Sequence, residues 1–534
     1  MLSGATRLYS DFLNAHANVA TYFGPLFDDH PALAALAQRL KAGEHPREQL
    51  AQALSVFADE ACAPDAAKAQ LDILRRPGSM VVFAGQQAGL FTGPLYAVYK
   101  ALTVERWAAD LSSLLALPVI PCYWLASDDH DLAEVDHIGV PGGAGVATVK
   151  YSSPAIRAGE PIERIVLDSG IDTVIKDLAD CLPRSSFAEG VFGTLKDCYF
   201  PGTPFSSAFA RLWYRMFPHS KLLFVSPAHP ELRKAAAPVL QRAVREDARL
   251  FSIYAETSAQ LEAAGYHRQV HKSSTQTLLF HQRGKRRGIH RGNGNGSFVW
   301  EGAETVTAEW LCEAICRRPE DFSPNVLLRP IVQNAMFPTL GVVLGPAETA
   351  YYAQLGGLHD HFGVPRPAVM PRTSVTILEQ TVAKRVSRLG IDLAALSADP
   401  DGEVSRVLQA SFPKDLGIKL EGAAKRVDAA FDELRADVHE FDPSLDGAVR
   451  LARKRAGEQM SLIARKMRAA HRHREKETET QIRSVAQRLF PGGKAQERTI
   501  NIVYYWARLG SMFLGELYRH WPAGRRDHLI WEPR

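Results

Sequence analysis

Short apolar runs, each closed by a polar or glycine-bearing turn and followed by a helical pattern, recur through the middle of the chain. MVVFAG (80–85) leads into QQAGLFTGP, VIPCYWLAS (119–127) into DDHD, KLLFVS (221–226) into PAHP, and LGVVLG (340–345) into PAETAYYAQL, while PAVMPR (367–372) closes the series. Continuous apolar runs suit strands buried on both faces, and strands alternating with helices predict an α/β fold built on a parallel sheet. Ligands of such sheets bind beyond the carboxyl ends of the strands, so a site is expected where the loops after these runs converge.

The flanking patterns differ. Residues 1–75 carry apolar positions at three- and four-residue spacing, as in HPALAALAQRL and HPREQLAQALSVFADEACA, and predict a helical segment packed on the core. Residues 76–375 hold the α/β core, interrupted at about 140–205 by mixed turns and at about 262–320 by TLLFHQRGKRRGIHRGNGNGSFVW, which predicts a three-stranded meander. Residues 376–534 are helical in pattern. From Val449 through Met460, Ile463, Met467, Arg474 and Thr478 to Ile482, Val485 and Leu489, a stripe recurs every three or four positions between Pro443 and Pro491. It predicts one long helix with coiled-coil character, whose seam needs a partner in residues 415–440 or in a second subunit.

Composition narrows the function classes. The 534 residues carry a net charge of +4, too small for a global nucleic-acid field, and the dense Lys and Arg of 450–474 read as a solvated helix face. Cys62, Cys122, Cys181, Cys198, Cys312 and Cys316 form no CxxC pair, so neither a zinc ribbon nor a disulfide framework is expected. The first twenty residues lack a basic stretch followed by an apolar one, and no apolar run reaches the roughly 18 residues of a spanning helix. A cytoplasmic protein, without membrane or nucleic-acid partners, is the expectation.

Candidate chemistry sits at the strand ends. The loop FAGQQAGLFTGP has glycines at Gly85, Gly89 and Gly93, which match neither the dinucleotide fingerprint nor the P-loop. A helix start after a strand can nonetheless meet an anion, and Gln86, Gln87 and Thr92 add neutral hydrogen-bonding groups. Asp128, Asp129, His130 and Asp131 could bind Mg²⁺ or move protons, although acids at a strand end also serve as helix caps. Arg329 and Arg372 could clamp a carboxylate or phosphate or sit in internal salt bridges, and Gln333, Asn334 and Glu348 lie near the same crossings. The basic turn Arg283 to Arg287 reads as a solvated hairpin tip rather than a phosphate contact.

In series, FAGQQAGLFTGPLYAVYKALT, YWLASDDHDLAEVDHI, GYHRQVH, FSPNVLLRPIVQNAMFPT, LGPAETAYYAQL, FGVPRPAVMPRTS and FPGGKAQER resemble the cysteine ligase family of bacillithiol biosynthesis, in order along the whole chain. The resemblance implies a Rossmann-like core laid out as in class I aminoacyl-tRNA synthetases, connecting insertions, and an α-helical coiled-coil domain that forms a homodimer, with a C-terminal tail returning to the core. It implies ATP, with Mg²⁺, activating the carboxyl of cysteine for amide formation with glucosaminyl-malate. Asp128 to Asp131 would then be catalytic, with Gln86, Gln87, Thr92, Arg329, Gln333, Asn334, Glu348 and Arg372 on substrate. Gly85, Gly89, Gly93 and Lys494 would be on the nucleotide. The chain lacks the two phosphate-holding motifs of those synthetases, so DDHD is expected to stand in for one, and Lys285, Arg286 or Lys494 for the other. A non-catalytic dimeric nucleotide- or metabolite-binding scaffold is the alternative, and a tRNA-acting relative a weaker third.

Overall fold

A computed structural model describes residues 6–142, 145–294 and 296–533. Residues 1–5 of the predicted N-terminal helical segment, 143–144 of the first insertion and Asn295 of the meander lie outside them. The chain forms two compact units, one comprising the residues up to 376 together with 494–531 and the other residues 377–493.

Five buried strands make the centre of the first unit: β1 (Met80–Gln86), β2 (Val119–Leu125), β3 (Leu223–Val225), β4 (Thr339–Leu344) and β5 (Ala368–Pro371). They pair side by side in the order β5-β4-β1-β2-β3, all parallel. The five apolar runs are these strands, and their lack of alternation reflects burial on both faces. From β1 the chain builds outward through β2 and β3, then returns to add β4 and β5 on the other flank. The order therefore reverses between β1 and β4, which opens a crevice beyond their carboxyl ends.

Helices Arg7–Leu13, His30–Ala42, Arg47–Glu60 and Asp65–Arg75 precede the sheet. The first insertion, expected as mixed turns, holds a hairpin of His137–Gly142 with Gly145–Lys150 and helices Gly170–Cys181 and Ala188–Cys198. The meander is larger than expected. Its strands Gln276–His281, Arg287–Arg291 and Ser297–Val299 gain Val306–Thr307 and Phe322–Pro324 as outer members, both too short to show a period in sequence.

In the second unit, Leu378, Val382, Leu396, Val404, Leu408, Ile482, Val485 and Leu489 share a small core. The long apolar stripe is two helices, Asp446–Arg474 and Lys476–Leu489, separated at Glu475 where the seam turns polar. Helix Lys414–Phe441 packs antiparallel to Asp446–Arg474, with the Arg453 guanidinium held by Asp428 at 2.7 Å and by Asp432. The seam's partner thus lies within the chain. Among the described residues no helix is long and apolar enough to cross a membrane.

Candidate functional site

The crevice at the β1/β4 reversal is a cleft of about 420 Å³. Strand β1 delivers Gly85, Gln86 and Gln87 to it, β2 delivers Trp124 and Ala126, and the turns after β4 and β5 deliver Glu348 and Arg372. Helix Leu95–Leu115 contributes Lys100, whose side chain is only 3% exposed. Its ammonium has three protons to donate. It meets the Gly85 carbonyl at 2.9 Å, Gln86 Oε1 at 2.8 Å and Glu348 Oε2 at 2.6 Å. Burial pulls the Lys100 ammonium below its ordinary range, with Glu348 acting in the opposite sense. Glu348 Oε2 also accepts from the Gly345 amide at 3.0 Å, which fixes this carboxylate at the start of helix Pro346–Tyr352.

Arg329 and Arg372 both line the cleft but are occupied differently. Arg372 forms a two-pronged pair with Glu497 (3.0 and 2.5 Å), and Glu497 also accepts from Ser374 Oγ at 2.8 Å. Burial raises the Glu497 carboxyl, and the Arg372 fork more than offsets this to hold it below the usual range. Arg372 therefore has the internal-salt-bridge role that was one of its two readings. Arg329 instead donates to Gln333 Oε1 at 3.0 Å and the Tyr351 hydroxyl at 3.2 Å, and its guanidinium lies 5.9 Å from the Trp124 ring centre. Its Nη and Nε atoms meet no carboxylate within salt-bridge distance among the described residues. Gln333 and Asn334 are buried behind it, joined by a 3.1 Å bond from Gln333 Nε2 to Asn334 Oδ1, and are not among the residues lining the cleft.

A second cleft of about 340 Å³ opens between β2 and the antiparallel sheet of the second insertion. It shares Trp124, Ala126, Asp129, Val326 and Arg329 with the first, so these residues form a ridge between two chambers. Leu279, Phe280 and Ile289 make its apolar floor. Arg286 lines it as well, which corrects the solvated-tip reading of that turn for this one residue. Its side chain is 10% exposed, stacks 3.9 Å over the Phe280 ring, donates to Pro324 O at 3.2 Å and comes within 3.5 Å of Asp129. Arg283 and Lys285 remain exposed.

The four residues of DDHD take separate roles. Asp128 is buried and pairs with Arg233, which at 3.0 Å also holds Glu163. Burial pushes the Glu163 carboxyl up to about 8, because one shared guanidinium and the adjacent Asp128 leave it poorly compensated. Asp129 sits on the ridge, accepting from Gln87 Nε2 at 2.8 Å. His130 is 42% exposed, 3.4 Å from Asp129, and with Asp131 stands outside both lining sets. A chain that turns sharply after a strand cannot aim four consecutive side chains at one cleft.

The loop after β1 meets the expectation only in part. Phe91 (φ 47°), Thr92 (φ 74°) and Gly93 (φ 68°) are all left-handed, and a Cβ on Gly89 would lie 2.8 Å from the Gly93 Cα. This sharp fold buries Thr92 and keeps Gly89 and Gly93 away from the clefts. The following helix start is sealed: the Leu95 amide donates to Ile500 O at 2.8 Å, and Asn501 Nδ2 donates to the Phe91 and Gly93 carbonyls at 2.8 and 2.5 Å. The Leu95 and Ala97 amides are thus already engaged, the latter by Pro94 O, and it is the strand end, through Gly85, Gln86 and Gln87, that lines the cleft. Lys494 is exposed and lines neither cleft.

Lys100, Tyr96, Tyr351 and Arg498, and the Arg233 and Glu163 partners of Asp128, were not singled out in the sequence. Each lies on a helix or turn whose local pattern is ordinary, and only the tertiary fold gathers them. Among the described residues, no three His, Cys, Asp or Glu side chains are grouped as a metal site.

Two family models together span almost the whole chain. The model described as bacillithiol biosynthesis BshC, N-terminal Rossmann-like domain, matches residues 2–373, and that described as BshC, C-terminal coiled-coil domain, matches 375–532. A relative from Koribacter versatilis named "Putative cysteine ligase BshC" is 32% identical over 95% of this chain and 93% of its own. Relatives of the same name from Solibacter usitatus and Geobacillus thermodenitrificans are 29% and 27% identical over 99% of this chain and 98% of theirs. A solved structure described as a "putative arginyl t-RNA synthetase" from Campylobacter jejuni is 10% identical at a TM-score of 0.24, covering 90% of this chain and 99% of that one, too weak a likeness to inform the fold.

Proposed function

The chain belongs to the BshC family of bacillithiol biosynthesis, and from that premise we propose that it is an ATP-dependent ligase joining the carboxyl of cysteine to the amine of glucosaminyl-malate. An amide does not form from a free carboxylate in water without activation. In the adenylate route a cysteine carboxylate oxygen attacks the α-phosphorus of ATP and pyrophosphate leaves; the amine then attacks the acyl carbon, AMP leaves, and the ammonium proton passes to a base or to water. In the acyl-phosphate route the γ-phosphorus is attacked and ADP leaves.

The observation that carries this reading is Arg329, a guanidinium on the ridge between two chambers, held by Gln333 and Tyr351 and without a carboxylate partner among the described residues. A cation placed in this way suits a carboxylate or phosphate brought by a ligand. In the sheet-end cleft, Gln86 and Gln87 suit sugar hydroxyls, Arg498 suits a malate carboxylate, and Glu348 suits the substrate ammonium. Lys100 positions Gln86 and Glu348 rather than touching substrate. Both protein donors to Glu348, Lys100 and the Gly345 amide, meet Oε2; Oε1 has no donor among the described residues, and it is the oxygen that would receive the amine.

The residues fit Mg²⁺ only as a companion of the phosphates. Asp129 can offer one carboxylate, which is within the one or two that Mg²⁺ commonly takes from protein, and the ion would neutralise phosphate charge there. A cytoplasmic homodimer is part of the same proposal. Purified protein incubated with ATP, Mg²⁺, cysteine and glucosaminyl-malate is expected to yield the amide by mass spectrometry, with AMP or ADP reporting the intermediate. Folded protein that yields no amide, yet binds the same ligands, would favour the scaffold.

A further inference from the structure

The two chambers differ in chemistry, and the difference assigns their occupants. This inference rests on the ligase reading. We propose that the chamber floored by the antiparallel sheet takes the adenosine of the nucleotide, with its phosphates running over the ridge between Arg286 and Arg329, while the sheet-end chamber takes the amine substrate.

A purine needs flat apolar surface against its faces and a few donors or acceptors at its edge. Leu279, Phe280, Ile289 and Pro324 supply the apolar surface. Asn325 and Trp124 supply the edge. Asn325 Oδ1 accepts from the Leu327 and Leu328 amides, each at 3.0 Å, which orients the side chain and leaves its NH₂ group as a donor. Trp124 Nε1 is buried and has no acceptor among the described residues. A buried donor without a partner is costly, and a ring nitrogen of a bound base would relieve that cost. The chamber volume, about 340 Å³, is within the range of small-molecule sites.

The ridge supplies the phosphate contacts. Arg286 is fixed by Pro324 O and by stacking on Phe280, so its guanidinium is already oriented, and Arg329 has no competing carboxylate. Both reach the ridge that the chambers share, where an activated carboxyl from one side can meet an amine from the other. The sheet-end chamber is poorly suited to a base. Arg498, Glu134 and Glu348 line it with mixed charge, which suits a polyhydroxylated dicarboxylate carrying an ammonium.

The test uses the full-length protein and isothermal titration calorimetry with ATP, AMP and glucosaminyl-malate separately. Gln276→Trp narrows the adenosine chamber from an exposed position, and Asn325→Asp keeps both amide acceptors while removing the NH₂ donor. Each is expected to weaken ATP and AMP at least tenfold and leave glucosaminyl-malate within twofold; Arg498→Leu is expected to do the reverse. Circular dichroism and melting confirm that each variant is folded. Unchanged nucleotide affinity in folded Gln276→Trp and Asn325→Asp, or loss of glucosaminyl-malate instead, overturns the assignment while leaving the ligase reading intact. Wild-type protein that binds neither ATP nor AMP removes both.

Discussion

Arg329, half-buried, and Lys100, fully buried, are cations with opposite tasks, and substitution should separate them. Arg329→Met removes the ridge cation without leaving a carboxylate unpaired, so kcat/KM is expected to fall about 100-fold, or about 3 kcal/mol, with the melting temperature nearly unchanged. Lys100→Met leaves Glu348 and Gln86 without their donor, and both melting temperature and kcat are expected to drop, with Lys100→Arg failing to restore the compact point charge. Steady-state kinetics beside thermal melts tests both. Arg329 was legible because it opens a helix directly after a turn at the edge of the core. Lys100 was not, since a lysine fourteen residues beyond a strand end looks like any helix-surface lysine until the helix packs back over that strand.

Titration adds a third expectation at this scale. Burial pushes the Glu105 carboxyl up to about 7 although Ser220 Oγ, the Leu222 amide and the Tyr518 hydroxyl all donate to it. A carboxyl whose folded pKa is raised stabilises the fold fully below its unfolded value of 4.5 and loses that contribution as pH rises through about 7. Relative to Glu105→Gln, the wild type is expected to lose about 3 kcal/mol between pH 4.5 and 8. Urea midpoints across that window would show it, and parallel slopes in the two proteins would refute it.

At the scale of elements, the loop between β1 and helix Leu95–Leu115 depends on a residue more than four hundred positions away. Asn501 caps its own helix through a 2.8 Å bond to the Val503 amide while clamping the Phe91 and Gly93 carbonyls. Asn501→Ala is expected to cost about 2–4 kcal/mol, the sum of a lost cap and two buried acceptors left without their donor. Denaturant unfolding measures it, and a loss below 1 kcal/mol would mean water replaces the clamp. The five core strands were legible because burial on both faces writes itself as an unbroken apolar run. The loop's consequence was not, since glycine spacing shows that a turn is tight and says nothing about which amides remain open.

At the scale of the molecule, the hairpin of Lys414–Phe441 with Asp446–Arg474 leaves Ile418 68% and Phe441 86% exposed, with Leu434, Leu451 and Ile463 also exposed. Apolar surface in such density invites cover, and the proposed homodimer would provide it. Replacing Ile418, Leu434 and Phe441 together by serine is expected to convert dimer to monomer in light scattering while far-ultraviolet dichroism is retained. Helical periodicity made this arm visible in the sequence. Its interruption at Glu475 was harder to see, because a stripe of mean period 3.6 continues across a one-residue break.

The first unit is finished by a segment that is made after the second. Glu497, Arg498 and Asn501 reach the sheet only after the whole of 377–493 has been synthesised. Strand β5 leaves the ribosome on the order of ten seconds before its neighbours in that segment, at ordinary elongation rates. Through that interval Arg372 is without Glu497 and the Phe91 to Gly93 turn is without its clamp, so an incomplete nascent chain has neither a closed cleft nor the capacity to act, and chaperone contact with β1 and β5 should persist until Glu497 and Asn501 emerge.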